Sequence, residues 1–339
     1  MVSNLEERVR EPYRFAGLAT YLNSVATYSV DSGSVSYESD LSEIDLKNMQ
    51  WLAVVGRFNV ALMYGTSDQS GASTQDRDQQ RKNRVLGGIR VVQKPNLHDL
   101  DSELSQLRYA NLWVGLRILA LAAESALEFL HKYVSNNWAV VLLVFAAIVK
   151  ILLLPLSILT SRSQKQVDLL GAKLAPTVSE VRSTLRGEEA HNRIMQAHKE
   201  LGITPFYTMK PMLLAFLQFP VLIAIFNALG EMPQFSGQSF LWIEDLAYPD
   251  YVYTLQGHVP LLGNKLSLLP LVMTLVTLLS IPLIDTSHIS HEEYRRRKFK
   301  LVLMAAAFFF LFYPFPAVMV LYWTFATFWQ LALQKLAHW

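Results

Sequence analysis

The stretch VLLVFAAIVKILLLPLSIL, residues 141–159, is an apolar run with a single charge, Lys150, at its centre. About 20 such residues in a helix cross the hydrocarbon core of a bilayer. A lysine at the middle of such a helix costs about 2.5–3.5 kcal/mol on insertion scales. About nine residues flank it on each side, roughly 13 Å at 1.5 Å per residue, which is farther than the lysine stem reaches towards the headgroups. Lys150 is therefore expected to face a protein interior or a hydrated cavity.

Outward from that run, the apolar residues (52% of the 339) fall in further long tracts. Besides 139–159, these are 211–229, 266–284 and the tract from 300 to the C-terminus. The last holds Tyr313-Pro314-Phe315-Pro316, whose prolines cannot continue a helix, and is divided into 300–313 and 316–336. Five spans are predicted. The connection 160–210 carries Arg162, Lys165, Lys173, Arg182, Arg186, Arg193, Lys199 and Lys210, whereas 230–265 carries Lys265 alone. By the positive-inside bias the first is cytoplasmic and the second is not. The run Arg295-Arg296-Arg297-Lys298 repeats the basic signature in 285–299, and Lys335 puts the C-terminus inside.

This topology places residues 1–138 on the outer side. Residues 19–38, ATYLNSVATYSVDSGSVSYE, read as a β-hairpin about the turn signal Asp31-Ser32-Gly33-Ser34. WLAVVGRFNVALMY (51–64) and RVLGGIRVVQ (84–93) are further strand candidates, and the polar tract 66–83 between them reads as a mobile loop. The opening MVSNLEERVREPYRF has no apolar core after its charges, so no signal peptide is expected, and its three glutamates argue against a transit peptide. In 112–133, Arg117, Glu124, Glu128 and Lys132 form one stripe at offsets of seven, four and four. That amphipathic helix either lies in the membrane interface or packs on the outer domain; the first is the reading taken here.

The basic connection is patterned too. Val167, Leu170, Leu174, Val178, Val181 and Leu185, then Ala190, Ile194, Ala197 and Leu201, recur at spacings of three or four on either side of Arg186-Gly187. Two short helices, each burying one stripe, would form a hairpin over 161–205, with Pro176 kinking the first. Its cationic outer surface suits anionic headgroups or a ribosome, or serves only to orient the chain.

No buried acid is available to Lys150: the spans offer Gln218 and Asn227, Thr274, Thr277 and Ser280, and Tyr322, Thr324, Thr327 and Gln330. An unpaired cation among neutral polar groups needs water, so a hydrated pocket reaching into the bilayer is expected. The bland alternative satisfies Lys150 with carbonyls and hydroxyls of neighbouring helices. A chain of groups for proton relay is lacking, as are a phosphate-cradling glycine loop, paired intramembrane acids, metal-spaced histidines and any Ser/His triad; His288 and His291 read as solvated. The absence of cysteine excludes disulfides and thiol chemistry.

FAAIVKILLLPLSILTSRSQ (145–164), LLAFLQFPVLIAIFNAL (213–229) with its Gln-x-Pro, FLWIEDLAYPD (240–250) and FPAVMVLYWTFATFWQLALQ (315–334) stand in an order that resembles the YidC family of membrane protein insertases, with its mitochondrial and chloroplast relatives. The resemblance covers most of 105–336. It implies a five-helix core around a groove open to the cytoplasm and to lipid, with Lys150 in the place of the family's groove cation, often arginine. Lysine keeps the charge and loses the guanidinium fork. Relative to family members with a large outer β-sandwich, residues 1–138 are expected to hold a reduced or truncated form of it, without the preceding anchor span.

The fold class that follows is an all-α polytopic membrane protein: a five-helix insertase core with a cytoplasmic hairpin, preceded by a small β-rich outer domain. Its expected parts are 1–105 (outer, a partial β-sandwich), 106–138 (interfacial helix) and 139–339 (core, with hairpin 161–205). The expected activity is insertion and assembly of membrane proteins in a bacterial inner membrane, without a catalytic reaction, cofactor or metal. Lys150, Gln218, Tyr322, Thr324 and Thr327 are the groove candidates. Arg162, Lys165, Lys173, Arg182, Arg186 and Arg193 are the partner-binding candidates on the hairpin. Expected partners are nascent membrane proteins, the ribosome, the Sec translocon and anionic lipids, and not DNA. A small-anion transporter, which predicts internal repeats or paired broken helices, and a purely structural scaffold are the competing readings.

Overall fold

A computed structural model describes residues 24–29, 34–38, 49–65, 86–97, 99–100, 104, 107–110, 112–202, 204, 206–259, 262–281 and 291–337. Packing divides the chain into two units, Met1–Ser125 with Ala224–Gln238, and Ala126–Ile223 with Ser239–Trp339.

In the first unit, alternating β-branched and aromatic residues build an antiparallel sheet. Strands β1 (Ser24–Ser29) and β2 (Ser34–Glu38) pair with Val25 opposite Glu38, as their Val/Tyr/Ser/Thr pattern predicts. The tract 51–64, read as one strand, is two: β3 (Met49–Val55) and β4 (Asn59–Gly65) are joined by a tight turn in which Gly56 N–H donates to Asn59 O at 2.9 Å. A single strand would carry Arg57 through the middle of an apolar run; at the turn its buried side chain reaches the carbonyl of Gly230 instead. With β5 (Leu86–Gln93) the order is β2-β1-β3-β4-β5. Trp51, Ala53 and Val55 pack with Val60, Leu62, Leu97, Leu104 and Leu107. Leu52, Val54, Ala61 and Met63, on the opposite face, are also buried, which is why these strands read as continuous apolar runs. The tract 66–83 lies outside the described residues.

Helix α1 (Val114–Tyr133) buries Leu116, Ala120, Ala123, Leu127 and Leu130 at spacings of three or four. Trp113, Val114, Ile118, Phe129 and Tyr133 are exposed, so apolar surface remains beside that face. The expected polar stripe is broken: Glu124 is buried, 2.5 Å from Arg108 and accepting from Tyr109 Oη at 2.6 Å. Lys94 Nζ meets Glu231 Oε2 at 2.5 Å, and Arg57 Nε donates to Gly230 O at 2.7 Å. Burial, with Glu124 and Glu231 nearby, holds the Tyr109 phenol well above its ordinary pKa.

In the second unit, Asn137 caps α2 (Trp138–Leu152), its side chain accepting from Ala139 N–H and Val140 N–H. The apolar run is not one straight helix. It breaks at Leu153 and turns by 56° into α3 (Leu154–Thr184). Pro155, in the first turn of α3, has no N–H to give α2 and a ring that blocks its continuation. The helix α3 continues through Pro176 and packs on α4 (Gly187–Glu200), burying Leu174, Val181 and Ala197 of the predicted stripes. Gly187 takes a positive φ of 65° at the turn between them, which a side chain would disfavour. Helices α5 (Met209–Phe216) and α6 (Phe219–Glu231) are broken at Leu217–Gln218, just before Pro220.

The connection 230–265 holds a hairpin that the sequence reading passes over, β6 (Tyr251–Val259) with β7 (Gly263–Ser267). There follow α7 (Leu269–Ser280), α8 (His291–Phe312), which takes in the Arg295–Lys298 run, and α9 (Ala317–Ala337). Helix α7 packs on α8 and α9, and α9 on α2. By length and apolarity, Met209–Glu231 is long enough to cross a membrane and the bent pair α2–α3 makes a second candidate, where five spans are predicted. Leu269–Leu279 and Ala317–Leu333 are shorter apolar segments.

Candidate functional site

The packing of α9 on α2 brings together residues that are 180 positions apart: Lys150 Nζ donates to Gln330 Oε1 at 3.2 Å. Further along, the rings of Phe145 and Tyr322 lie 6.1 Å apart, and Trp329 Nε1 donates to Leu143 O at 3.0 Å. Lys150 is half-buried, and among the described residues no carboxylate lies within ion-pair distance of it. A cation held by one neutral amide retains most of its demand for an anionic or hydrated partner.

Of the other predicted groove residues, Tyr322 is buried against Phe145. Thr324 and Thr327 each donate one turn back along α9, to Val320 O at 2.7 Å and Trp323 O at 2.9 Å. Their hydroxyl hydrogens are thereby used, and each oxygen keeps acceptor capacity. Gln218 is half-buried at the break between α5 and α6, and its side chain is not bonded to Lys150. Gln330 was visible in the sequence as a neutral polar residue of the last span but was not singled out. Its position three residues past Thr327, on the same helical face, was the available signal.

The predicted partner-binding residues Arg162, Lys165, Lys173, Arg182, Arg186 and Arg193 are all exposed on α3, α4 and their connection. Arg193 lies 3.5 Å from Glu200. The basic run of α8 contributes a tie that sequence reasoning missed, Arg297 Nη1 to Asp168 Oδ2 at 3.1 Å.

The loop 240–250 sets the spacing of the helices around this site. Asp250 Oδ2 accepts from Leu268 N–H at 3.0 Å, Leu269 N–H at 2.5 Å and Trp242 Nε1 at 3.1 Å, placing a carboxylate at the start of α7 where the helix dipole favours it. Ala317 N–H and Val318 N–H donate to Tyr248 O and Leu246 O, so the same loop satisfies the first turn of α9. Burial raises the Asp250 pKa, and its three hydrogen bonds oppose that rise. Tyr313 Oη completes the clamp, accepting from Ser267 N–H at 3.1 Å and donating to Lys265 O at 2.8 Å.

Long apolar helices, a lone cation between two of them and an exposed basic helical pair together describe a helical membrane protein. The sequence profile of the family described as 60Kd inner membrane protein matches residues 129–338, and the chain belongs to that family. Three proteins named membrane protein insertase YidC are similar to it. That of Treponema denticola is 30% identical over 240 residues, covering 66% of this chain and 40% of its own length. That of Chlamydia trachomatis is 27% identical over 198 residues, 57% of this chain and 24% of its own. That of Bacteroides fragilis is 26% identical over 225 residues, 65% of this chain and 34% of its own. The chain thus spans between about a quarter and two-fifths of the length of these relatives.

Proposed function

We propose that this chain acts as a membrane protein insertase and assembly chaperone of a bacterial inner membrane. The observation that carries the reading is Lys150: a half-buried cation on an apolar helix, held by Gln330 and facing no acid among the described residues. Five spans, with the N-terminal domain outside and the C-terminus cytoplasmic, form the core. Water and charge at mid-depth shorten the distance over which a polar segment of a nascent protein is dehydrated. The acidic or polar part of the segment meets Lys150, and its apolar part slides into lipid along the exposed side chains of the helices. Gln218, Tyr322, Thr324 and Thr327 contribute to the groove wall. The hairpin 161–205 receives substrates, the ribosome or the Sec translocon and contacts anionic lipid through its basic surface. The names of the relatives favour insertion over small-anion transport.

The test is protease-protected insertion of a short single-span substrate into proteoliposomes. Lys150→Ala is expected to slow insertion several-fold and Lys150→Glu to abolish it for acidic substrates. Undiminished insertion by Lys150→Glu overturns the reading.

A further inference from the structure

At the root of the helical pair, a cavity of about 350 Å³ opens between α3 and the connection leading into α5. That volume belongs to the size class of small-molecule sites. Its polar lining comes from Ser163, Gln166, Thr204, Tyr207 and Lys210. Lys210 is the only charged side chain among the described lining residues, and it is a cation. Ser163, Gln166, Val167 and Leu170 follow the three-and-four spacing of one helical face, so α3 presents a single wall. Ser163 is only 4% exposed, and its Oγ has no hydrogen-bond partner among the described residues. A buried hydroxyl left unpaired is costly, and one on a residue that lines a polar cavity has a ligand as its natural partner. Burial raises the pKa of Tyr207, which keeps its phenol a donor.

The position of the cavity says which anion fits. Lys210 is the second residue of the apolar segment Met209–Glu231, at the level where a span meets the headgroups. Leu213 and Leu217, three and seven residues on, share its helical face and are 58% and 62% exposed. Phe206, which lines the mouth, is 71% exposed. Hydroxyl, amide and ammonium donors thus stand directly above an apolar strip. We infer that this cavity binds the phosphate headgroup of an anionic phospholipid, with the acyl chains laid along Leu213 and Leu217. The lipid would wedge between the root of α3 and the start of α5, fixing the angle at which the basic pair leaves the membrane. The inference rests on the membrane placement of Met209–Glu231 and is independent of the groove at Lys150.

The experiment is native mass spectrometry of the full chain in detergent, titrated with dioleoyl phosphatidylglycerol. Lys210→Gln, an exposed substitution, is expected to weaken the first bound lipid about fivefold, and Ser163→Ala about twofold. Lys298→Gln, an exposed basic position on α8 outside both the cavity and the hairpin, is expected to leave it unchanged. Equal loss in Lys298→Gln would mean diffuse surface charge and overturn the site. Equally tight binding of dioleoyl phosphatidylcholine would overturn its preference for an anion. Full competition by millimolar inorganic phosphate would show a free-phosphate site rather than a lipid site. Because lipid retention is read without any insertion step, failure of the insertase reading leaves this result intact.

Discussion

Lys150 and Gln330 form the contact on which the proposed groove depends. An acid in place of the amide would supply the counter-ion that the helix pair lacks. Gln330→Glu is therefore expected to neutralise the groove and lower insertion about as far as Lys150→Ala, with the fold retained; proteoliposome insertion and a melting curve read the two effects separately. Asp250 has the opposite character, a charge fully used by the fold. Asp250→Ala leaves two backbone N–H groups at the start of α7 without their acceptor, at a cost of about 2 kcal/mol. The expected result is a lowered thermal midpoint in detergent, with lipid retention at Lys210 unaltered.

Among the elements, the apolar helices owe their shape to proline. Pro155 and Pro220 each stand in the first turn of a new helix, so both apolar runs are broken where a composition scan sees continuity. The basic pair α3–α4 depends instead on a thin apolar seam. Leu174, Val181 and Ala197 are buried, whereas Leu201 of the predicted stripe is 39% exposed. Leu174→Asp should separate the two helices by placing a charge in that seam. The expected outcome is several-fold faster tryptic cleavage near Arg186 with cleavage of α9 unchanged; equal protection in both forms would show that the seam does not hold them.

Across the molecule, buried charge is concentrated in the first unit, where Lys94, Arg108, Glu124 and Glu231 surround Tyr109. Glu231→Ala would strand the Lys94 ammonium in a site where both side chains are under a tenth exposed, costing about 3–5 kcal/mol. Replacing the pair by Lys94→Met with Glu231→Leu should recover most of that loss, as read by thermal midpoints. Tyr109 adds a pH signature. Its native pKa is raised, so above pH about 10 the unfolded chain loses the phenol proton first. Stability falls with rising pH through that window, and Tyr109→Phe is expected to flatten the slope between pH 9 and 11 relative to wild type.

Local pattern and solvent preference made much of this legible in the sequence. Apolar runs of bilayer length, the β-hairpin at 24–38 and the seam of the basic pair all follow from periodicities of two or 3.6 residues, which neighbours along the chain impose. The same local logic marked Lys150 as anomalous, because a cation amid apolar residues is costly whatever surrounds it. Its partner was another matter: Gln330 is one of several neutral polar residues, and only the packing of α9 on α2 selects it. Glu124 likewise belongs to a helical polar stripe by spacing, yet is buried because Arg108 and Tyr109 reach it. The cavity beside Ser163 has no sequence signature at all, since its walls come from segments about 40 residues apart. Burial and partnership are properties of assembled surfaces, and for those residues only the tertiary structure decided them.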